Sequence, residues 1–529
     1  MPMNDRKTFA LVACLLAARG ALAASSCPDL AKLELPPTIS RAEAVEAGHF
    51  TLPSGKALPD LPAFCRVSGV IKPSADSNIQ FEVWMPASGW NGKFQGVGNG
   101  GFAGDMGYDQ MVDAVAHGYA SATTDTGHKA GATDATWALH HPEKIVDFGH
   151  RAIHLTAVNA KALIRAFYGE GPRRSYFSSC SNGGRQALME AQRYPEDYDG
   201  ILAGAPANYW THLLANAAWD LQAIGTPETY IPAKKLKAIE AAALAACDAA
   251  DGVKDSVIEN PPHCRFDPAV LLCQGPETDA CLTQPQVNAL EKLYSGGKDS
   301  HGRQIFPGYS PGGEAEPGGW AAWITGGSPD HSLMFAFGTQ FFKNMVFDDP
   351  NWDYHKFDTD HDTAAADSKM SGPLNANDPD LSRFRARGGK LILYHGWSDA
   401  AIAAQNTVDY YHSVTAKMGA ANAATFVRLF MVPGMQHCFG GLGPNSFGQF
   451  TVGAGDADHD LDTALERWVE KGIAPEKVIA TKRKSDMDPK SAVVRTRPLC
   501  AWPMIARYKG DGSTDDAANF ECAKATAVH

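Results

Sequence analysis

Beyond its first two dozen residues, the 529-residue chain has no apolar run long enough to span a bilayer. A basic excess is also missing: 47 Lys and Arg stand against 59 Asp and Glu, for a formal charge of −12. That balance excludes the electrostatic footprint of a nucleic-acid or anionic-membrane binder and points to a neutral or weakly anionic small-molecule partner. There are no internal repeats and no low-complexity block, which excludes solenoids and disordered tails. No G-x-x-x-x-G-K-[ST] loop occurs, so nucleotide chemistry lacks that phosphate cradle. His140-His141 and His361 have no further ligands at metal-binding spacing.

What is present begins with an export pattern. Arg6 and Lys7 precede the short apolar run Phe9–Ala18, and Ala21-Leu22-Ala23 supplies the small-x-small cleavage site, so residues 1–23 read as a signal peptide and the mature chain as secreted or periplasmic. The cysteines agree. Of 11, Cys14 leaves with the signal, and the even remainder suits an oxidising compartment. Spacing suggests local pairs Cys27–Cys65, Cys247–Cys264, Cys273–Cys281 and Cys500–Cys522, leaving Cys180 and Cys438 for each other.

From Gln80, short apolar runs alternate with helical patterns. Phe81–Met85, Phe94–Val97 and Tyr119–Thr124 read as strands, and Asp147–Tyr168 as a long amphipathic helix. Ser175–Ser178, Gly183–Arg193 and Ile201–Ala203 then read strand, helix, buried strand. This alternation predicts a mostly parallel sheet covered on both faces. From about Asn208 the pattern changes to helices (Ala233–Ala246, Gln284–Tyr294), cysteine-bearing loops, a Gly/Pro-rich stretch Gly308–Gly319 and a crowd of aromatics. Strands resume at Lys390 and at Phe426–Val432, followed by a helix over Leu461–Lys471. The expectation is a split α/β core formed by 24–207 and 386–529, with 208–385 inserted as a lid.

The segment Tyr176–Arg185 reads strand, sharp turn, helix, the context that exposes a nucleophilic serine, here Ser181. Ser179 occupies the place of the first glycine in G-x-S-x-G, and a plain αβ turn is the competing reading. Two later segments favour catalysis. Asp399 follows the strand ending at His395-Gly396, and His437 follows the strand ending at Val432. Both lie at the sheet edge where sites form, in the chain order Ser, Asp, His. A Cys180–Cys438 bridge would hold the neighbours of Ser181 and His437 about 4.4–6.8 Å apart at Cα. His437 is then the general base and Asp399 the acid that orients it. The backbone N–H of Asn182 and one from Gly100 or Gly101, in the loop Gly96–Gly101, are the expected oxyanion donors; phosphate binding by that loop is the alternative. His395 reads as a packed core histidine.

These residues resemble the tannase and feruloyl esterase family of α/β-hydrolases, which also contains terephthalate monoester hydrolases. The likeness runs through Cys180-Ser181-x-Gly-Gly-Arg-Gln, Gly204-Ala-Pro-Ala207, His395-Gly-x-x-Asp399, Gly434-Met-x-His437-Cys438, Arg497-Pro-Leu-Cys500 and Ala506-Arg-Tyr-Lys-Gly510. It implies the Ser181/Asp399/His437 triad with its cysteine bridge, a lid, and a structural Ca²⁺ held by Asp248, Asp251 and Asp255 with the carbonyls of Val253 and Val257. Three carboxylates and two carbonyls are the hard ligands that Ca²⁺ takes. No organic cofactor is expected. The implied activity is hydrolysis of esters of aromatic acids, feruloyl esters first, then galloyl and terephthalate esters. The dense lid aromatics make Phe335, Phe337 and Trp397 the candidate substrate contacts. A silent hydrolase fold that binds an aromatic ligand is the remaining reading.

Overall fold

The computed structural model describes residues 24–52, 55–450, 455–488 and 490–524; the expected signal peptide over 1–23 lies outside them. Its centre is a nine-stranded sheet: β1 (Thr38–Val45), β2 (Phe64–Ile71), β3 (Ile79–Pro86), β4 (Lys93–Val97), β5 (Ala120–Thr124), β6 (Arg174–Cys180), β7 (Gly200–Gly204), β8 (Lys390–Gly396) and β9 (Val427–Val432). They are arranged β1-β2-β3-β5-β4-β6-β7-β8-β9. From β5 to β9 all neighbours are parallel, whereas β1, β2 and β3 pair antiparallel and β3 joins β5 antiparallel. The sheet is mostly parallel, as expected. The sequence reading of strands begins at Gln80 and omits β1 and β2 of this sheet; β1 has no buried residue, whereas β2 is mostly buried.

The continuous apolar run of β8 has a plain cause. Leu391 and Leu393 face one layer, which contains Ile153, Leu163, Ala187 and Val408, while Ile392 and Tyr394 face the other, which contains Ala114, Leu461 and Trp468. A strand buried on both sides needs no polar alternation. The helix predicted over Asp147–Tyr168 is present from Ala152 to Tyr168, but a π-turn at Asp147–Arg151 precedes it.

Residues 205–389 enter between β7 and β8, which are adjacent in the sheet. Their helices, among them Trp210–Ile224, Leu236–Cys247, Gln284–Ser295, Leu333–Phe341 and Thr359–Leu374, share one apolar cluster with loop residues of the core, Phe102, Phe148 and Ala400–Ala403. The insertion therefore packs on the C-terminal edge of the sheet, where the loops carrying Asp399 and His437 emerge. The ten cysteines form the five pairs expected from spacing. No helix of the described residues is long and apolar enough to cross a membrane.

Candidate active site

Ser181 stands between β6 and the helix Asn182–Arg193 with φ +67° and ψ −127°, a conformation that L residues avoid unless their surroundings fix it. The fixing contacts are visible. The Ser181 N–H donates to Gly204 O at 2.9 Å, and the Ser181 carbonyl accepts from Arg185 and Ala207. A Cβ on Gly184 would lie 2.3 Å from Gly204 O, so only glycine lets the helix meet β7 so closely. Ser179, the departure from the usual motif, is accommodated by its neighbours. Its side chain occupies the space that Gly98 and Gly183 leave open, where a Cβ would come within 2.8 Å and 1.9 Å of Ser179 Oγ.

His437 and Asp399 meet this serine. His437 Nε2 lies 2.9 Å from Ser181 Oγ, and His437 Nδ1 lies 2.7 Å from Asp399 Oδ2. The carboxylate partner puts the proton on Nδ1, leaving Nε2 to accept from the serine hydroxyl. The Oδ1 atom of Asp399 accepts from the amides of Ala401 and Ile402 at 2.7 and 2.9 Å. Burial alone would raise this carboxyl, but the His437 and His395 rings hold it below the usual carboxylate range. Cys180 and Cys438 are bridged with their Cα atoms 6.0 Å apart.

The glycine loop is pinned to the nucleophile helix through an amide pair. Gln186 accepts from Asn99 N at 2.9 Å and donates to Asn99 Oδ1 at 3.1 Å, and Asn99 Nδ2 donates to the carbonyls of Asp105 and Thr124. Gly101, at φ +54° and with Ala132 O where a Cβ would sit, lines the serine cavity together with Asn182. Gly100 is exposed and does not line it; its carbonyl accepts from Ala103.

The cavity wall comes mainly from the insertion: Trp210, Leu213 and Leu214 on one helix, then Trp323, Met334 and Phe337. Ala401 and Ile402 close it from the turn after Asp399. Trp323 meets the His437 ring edge-on at 5.1 Å and stacks on Phe337 at 6.0 Å. No Asp, Glu, Lys or Arg side chain lines this cavity among the described residues. Of the three sequence-predicted contacts only Phe337 reaches it. Phe335 lies two residues away on the same helix, hence on another face, and packs edge-on against Tyr354. Trp397 is buried against Trp502 and borders a separate groove with Tyr294 and Tyr309. Trp210, Leu213, Leu214, Trp323 and Met334 were missed; for the first three the dense apolar periodicity of Trp210–Ile224 was the available signal.

Arg185 is a further residue whose role the sequence did not disclose. It is fully buried without a carboxylate. Its guanidinium donates to Asn182 Oδ1, to Phe148 O and Gly149 O in the π-turn, and to Leu374 O at the end of the insertion's helix Thr359–Leu374. The rings of Phe148 and Trp210 lie 4.7 and 4.9 Å away, and burial pushes the guanidinium down to about 9. One cation thus ties the turn at Ser181 to the insertion.

The acidic loop turns at Gly252, φ +88°. Asp248 accepts from the amides of Asp255 and Ser256, Asp251 from Val253, and Asp255 from Val257 and from the guanidiniums of Arg495 and Arg497. The three carboxylates are not gathered within 4.8 Å of one another; His154, Glu190 and Asp197 form the one such group among the described residues. Yet the loop packs Asp248, Asp251, Asp255 and Glu259 against only two arginines. Burial, with Asp255 and Asp248 beside it, pushes Asp251 up to about 6. That surplus of hard anionic oxygen suits a divalent cation.

A family model described as tannase and feruloyl esterase matches residues 65–523. The chain is 45% identical over 546 residues to an uncharacterized esterase of Xanthomonas campestris pv. campestris, covering 98% of this chain and 94% of that one. It is 34% identical over 465 residues to a probable feruloyl esterase B-2 of Aspergillus terreus, covering 87% and 86%. The crystal structure of feruloyl esterase B from Aspergillus oryzae superposes with a TM-score of 0.86 at 31% identity, covering 94% of this chain and 99% of that one.

Proposed function

The chain belongs to the tannase and feruloyl esterase family and is a carboxylic ester hydrolase, and from that premise we propose that it cleaves feruloyl-type esters through a Ser181 acyl-enzyme. The observation that carries this reading is the hydrogen-bonded series Ser181–His437–Asp399 opening on an apolar cavity. His437 removes the hydroxyl proton as Ser181 Oγ attacks the ester carbonyl, and Asp399 stabilises the imidazolium that forms. The amides of Asn182 and Gly101 receive the developing oxyanion. His437 returns the proton to the leaving alcohol, then activates the water that releases the acid.

The cavity lining supports the choice of acyl group. A terephthalate monoester would bring a carboxylate into a pocket with no cation to meet it, which costs several kcal/mol. A galloyl group would bring three hydroxyls to a wall of Trp, Leu, Met and Phe. A hydroxycinnamoyl ring, mostly apolar and flat, matches that wall. Residues 208–385 serve as the lid that supplies it. A structural Ca²⁺ would be held by Asp248, Asp251 and Asp255 with the carbonyls of Val253 and Val257, and would supply charge neutralisation to this loop. Export after Ala23 to the periplasm or the exterior lets the five disulfides form.

The test is a panel of methyl ferulate, methyl gallate and a terephthalate monoester, with Ser181→Ala alongside. Hydrolysis fastest on methyl ferulate and lost in the variant supports the reading. Full activity in Ser181→Ala refutes the mechanism, and a preference for either other ester refutes the acyl assignment.

A further inference from the structure

Asp399 has a second histidine. His395 lies at the end of β8, completely buried, and every polar atom of its ring is occupied. Its Nε2 is 3.0 Å from Asp399 Oδ2 and 3.0 Å from Ile402 O. Both are acceptors, so the ring proton resides on Nε2. Nδ1 is then bare and accepts from the Thr407 hydroxyl at 2.7 Å. This is the opposite tautomer to that of His437, which presents its Nδ1–H to the same Oδ2.

We propose that His395 is a positioning residue of the triad, acting through Asp399 to set both the aim and the basicity of His437. The proposal rests on the triad reading above. A carboxylate offers about four in-plane acceptor positions, and here all four are filled: two by the Ala401 and Ile402 amides, two by the histidines. The group can neither rotate nor recruit water. Because both rings share Oδ2, the His395 donor competes with the His437 Nδ1–H bond for the charge on that atom. The fork to Ile402 O also ties this carboxylate to the turn that walls the cavity.

The other groups facing this cluster do not compete for the charge. From the insertion comes Tyr309, whose hydroxyl donates to Asp220 at 3.1 Å, and around His437 stand the Ser181 hydroxyl and the Trp323 ring. A buried histidine that merely satisfied a buried acid would affect folding alone, whereas a shared acceptor atom makes a kinetic prediction.

The experiment compares His395→Leu, which removes the donor, with His395→Gln, whose amide nitrogen can replace it, in the full mature chain on methyl ferulate. Loss of a hydrogen bond to an ionised group lowers kcat roughly tenfold to a hundredfold in the Leu variant. KM changes little, and the acid limb of the kcat/KM profile moves to higher pH, because an unshared Asp399 holds the proton on His437 more tightly. Gln restores both the rate and the limb. A Leu variant with wild-type kcat or an unmoved limb overturns the proposal. Should that variant fail to fold, ¹⁵N-histidine spectra of the unmodified protein read the tautomer directly, and a His395 ring protonated on Nδ1 overturns it equally. Ser181→Ala run in parallel separates the two failures: activity there defeats the triad, whereas an inactive Ser181→Ala beside an unaffected His395→Leu defeats this inference alone.

Discussion

Replacing Cys180 and Cys438 with alanine removes the disulfide between the residues beside Ser181 and His437, the proposed nucleophile and base. The bridge spans 258 residues of sequence. In the chain-entropy model a loop of that length limits the unfolded state by about 5–6 kcal/mol at 25 °C. The nested Cys247–Cys264 and Cys273–Cys281 bridges, spanning 17 and 8 residues, shorten the effective loop. Since the dependence is logarithmic, they reduce that figure by only about 0.1 kcal/mol. For a chain of this size the unfolding entropy is on the order of 1 kcal/mol/K, so Tm falls by about 5 °C. The second effect is local. Ser181 and Cys438 both hold left-handed φ values of +67°, and the bridge fixes both turns. A misplacement of about 1 Å between nucleophile and base costs roughly a hundredfold in rate. The assay is calorimetry together with methyl ferulate hydrolysis at 25 °C, well below either transition. We expect both losses. An unchanged Tm refutes the entropy argument, and a lowered Tm with wild-type kcat refutes the idea that the bridge aligns the triad.

Trp323→Ala opens the cavity beside His437 and raises KM for methyl ferulate roughly tenfold, from about 1.5 kcal/mol of lost aromatic contact; steady-state kinetics with methyl acetate as control should show little change there. Exhaustive chelation lowers Tm of the wild-type protein, and Asp251→Asn abolishes that response; an identical Tm with and without chelator counts against bound calcium. Asp125, at the end of β5, is pushed up to about 7, chiefly by burial, although the Gln80 and Gly127 amides donate to it. Its folded value lies above the unfolded one near ~4, so the folded state binds more protons between those values and stability falls as pH rises from about 4 to 7. Asp125→Asn should flatten that slope in urea titrations; an unaltered slope would show that Asp125 is not its source.

The sequence made the sheet edge legible because strand ends, turn glycines and chain order are local signals. Lys390–Gly396 and Phe426–Val432 announce themselves as apolar runs, and the residues after them are Asp399 and His437. The flanking cysteines added the only long-range information that spacing can carry. The cavity wall was harder to read for a geometric reason. Phe335 and Phe337 are two residues apart, and only the pitch and docking angle of their helix decide which one faces Ser181. Trp397 follows a strand whose end carries the functional residues, yet its ring turns toward Trp502. Arg185 stood in plain view within a quoted motif, but its acceptors, Gly149 O and Leu374 O, come from a π-turn and a distant helix end that no sequence pattern marks.

The entry of residues 205–389 between two neighbouring strands has a consequence for how this enzyme's chemistry and selectivity are inherited. Ser181, Asp399, His437 and the amides beside them are all encoded outside that stretch, whereas six of the cavity's large side chains are encoded within it. The two properties are thus separable pieces of text. On the proposed mechanism, an exchange of the inserted stretch between relatives would transplant the preferred acid while leaving bond cleavage to Ser181, His437 and Asp399. The condition on such a graft is set by Arg185: the incoming stretch must offer a carbonyl where the helix Thr359–Leu374 ends, or the recipient's buried cation loses that acceptor.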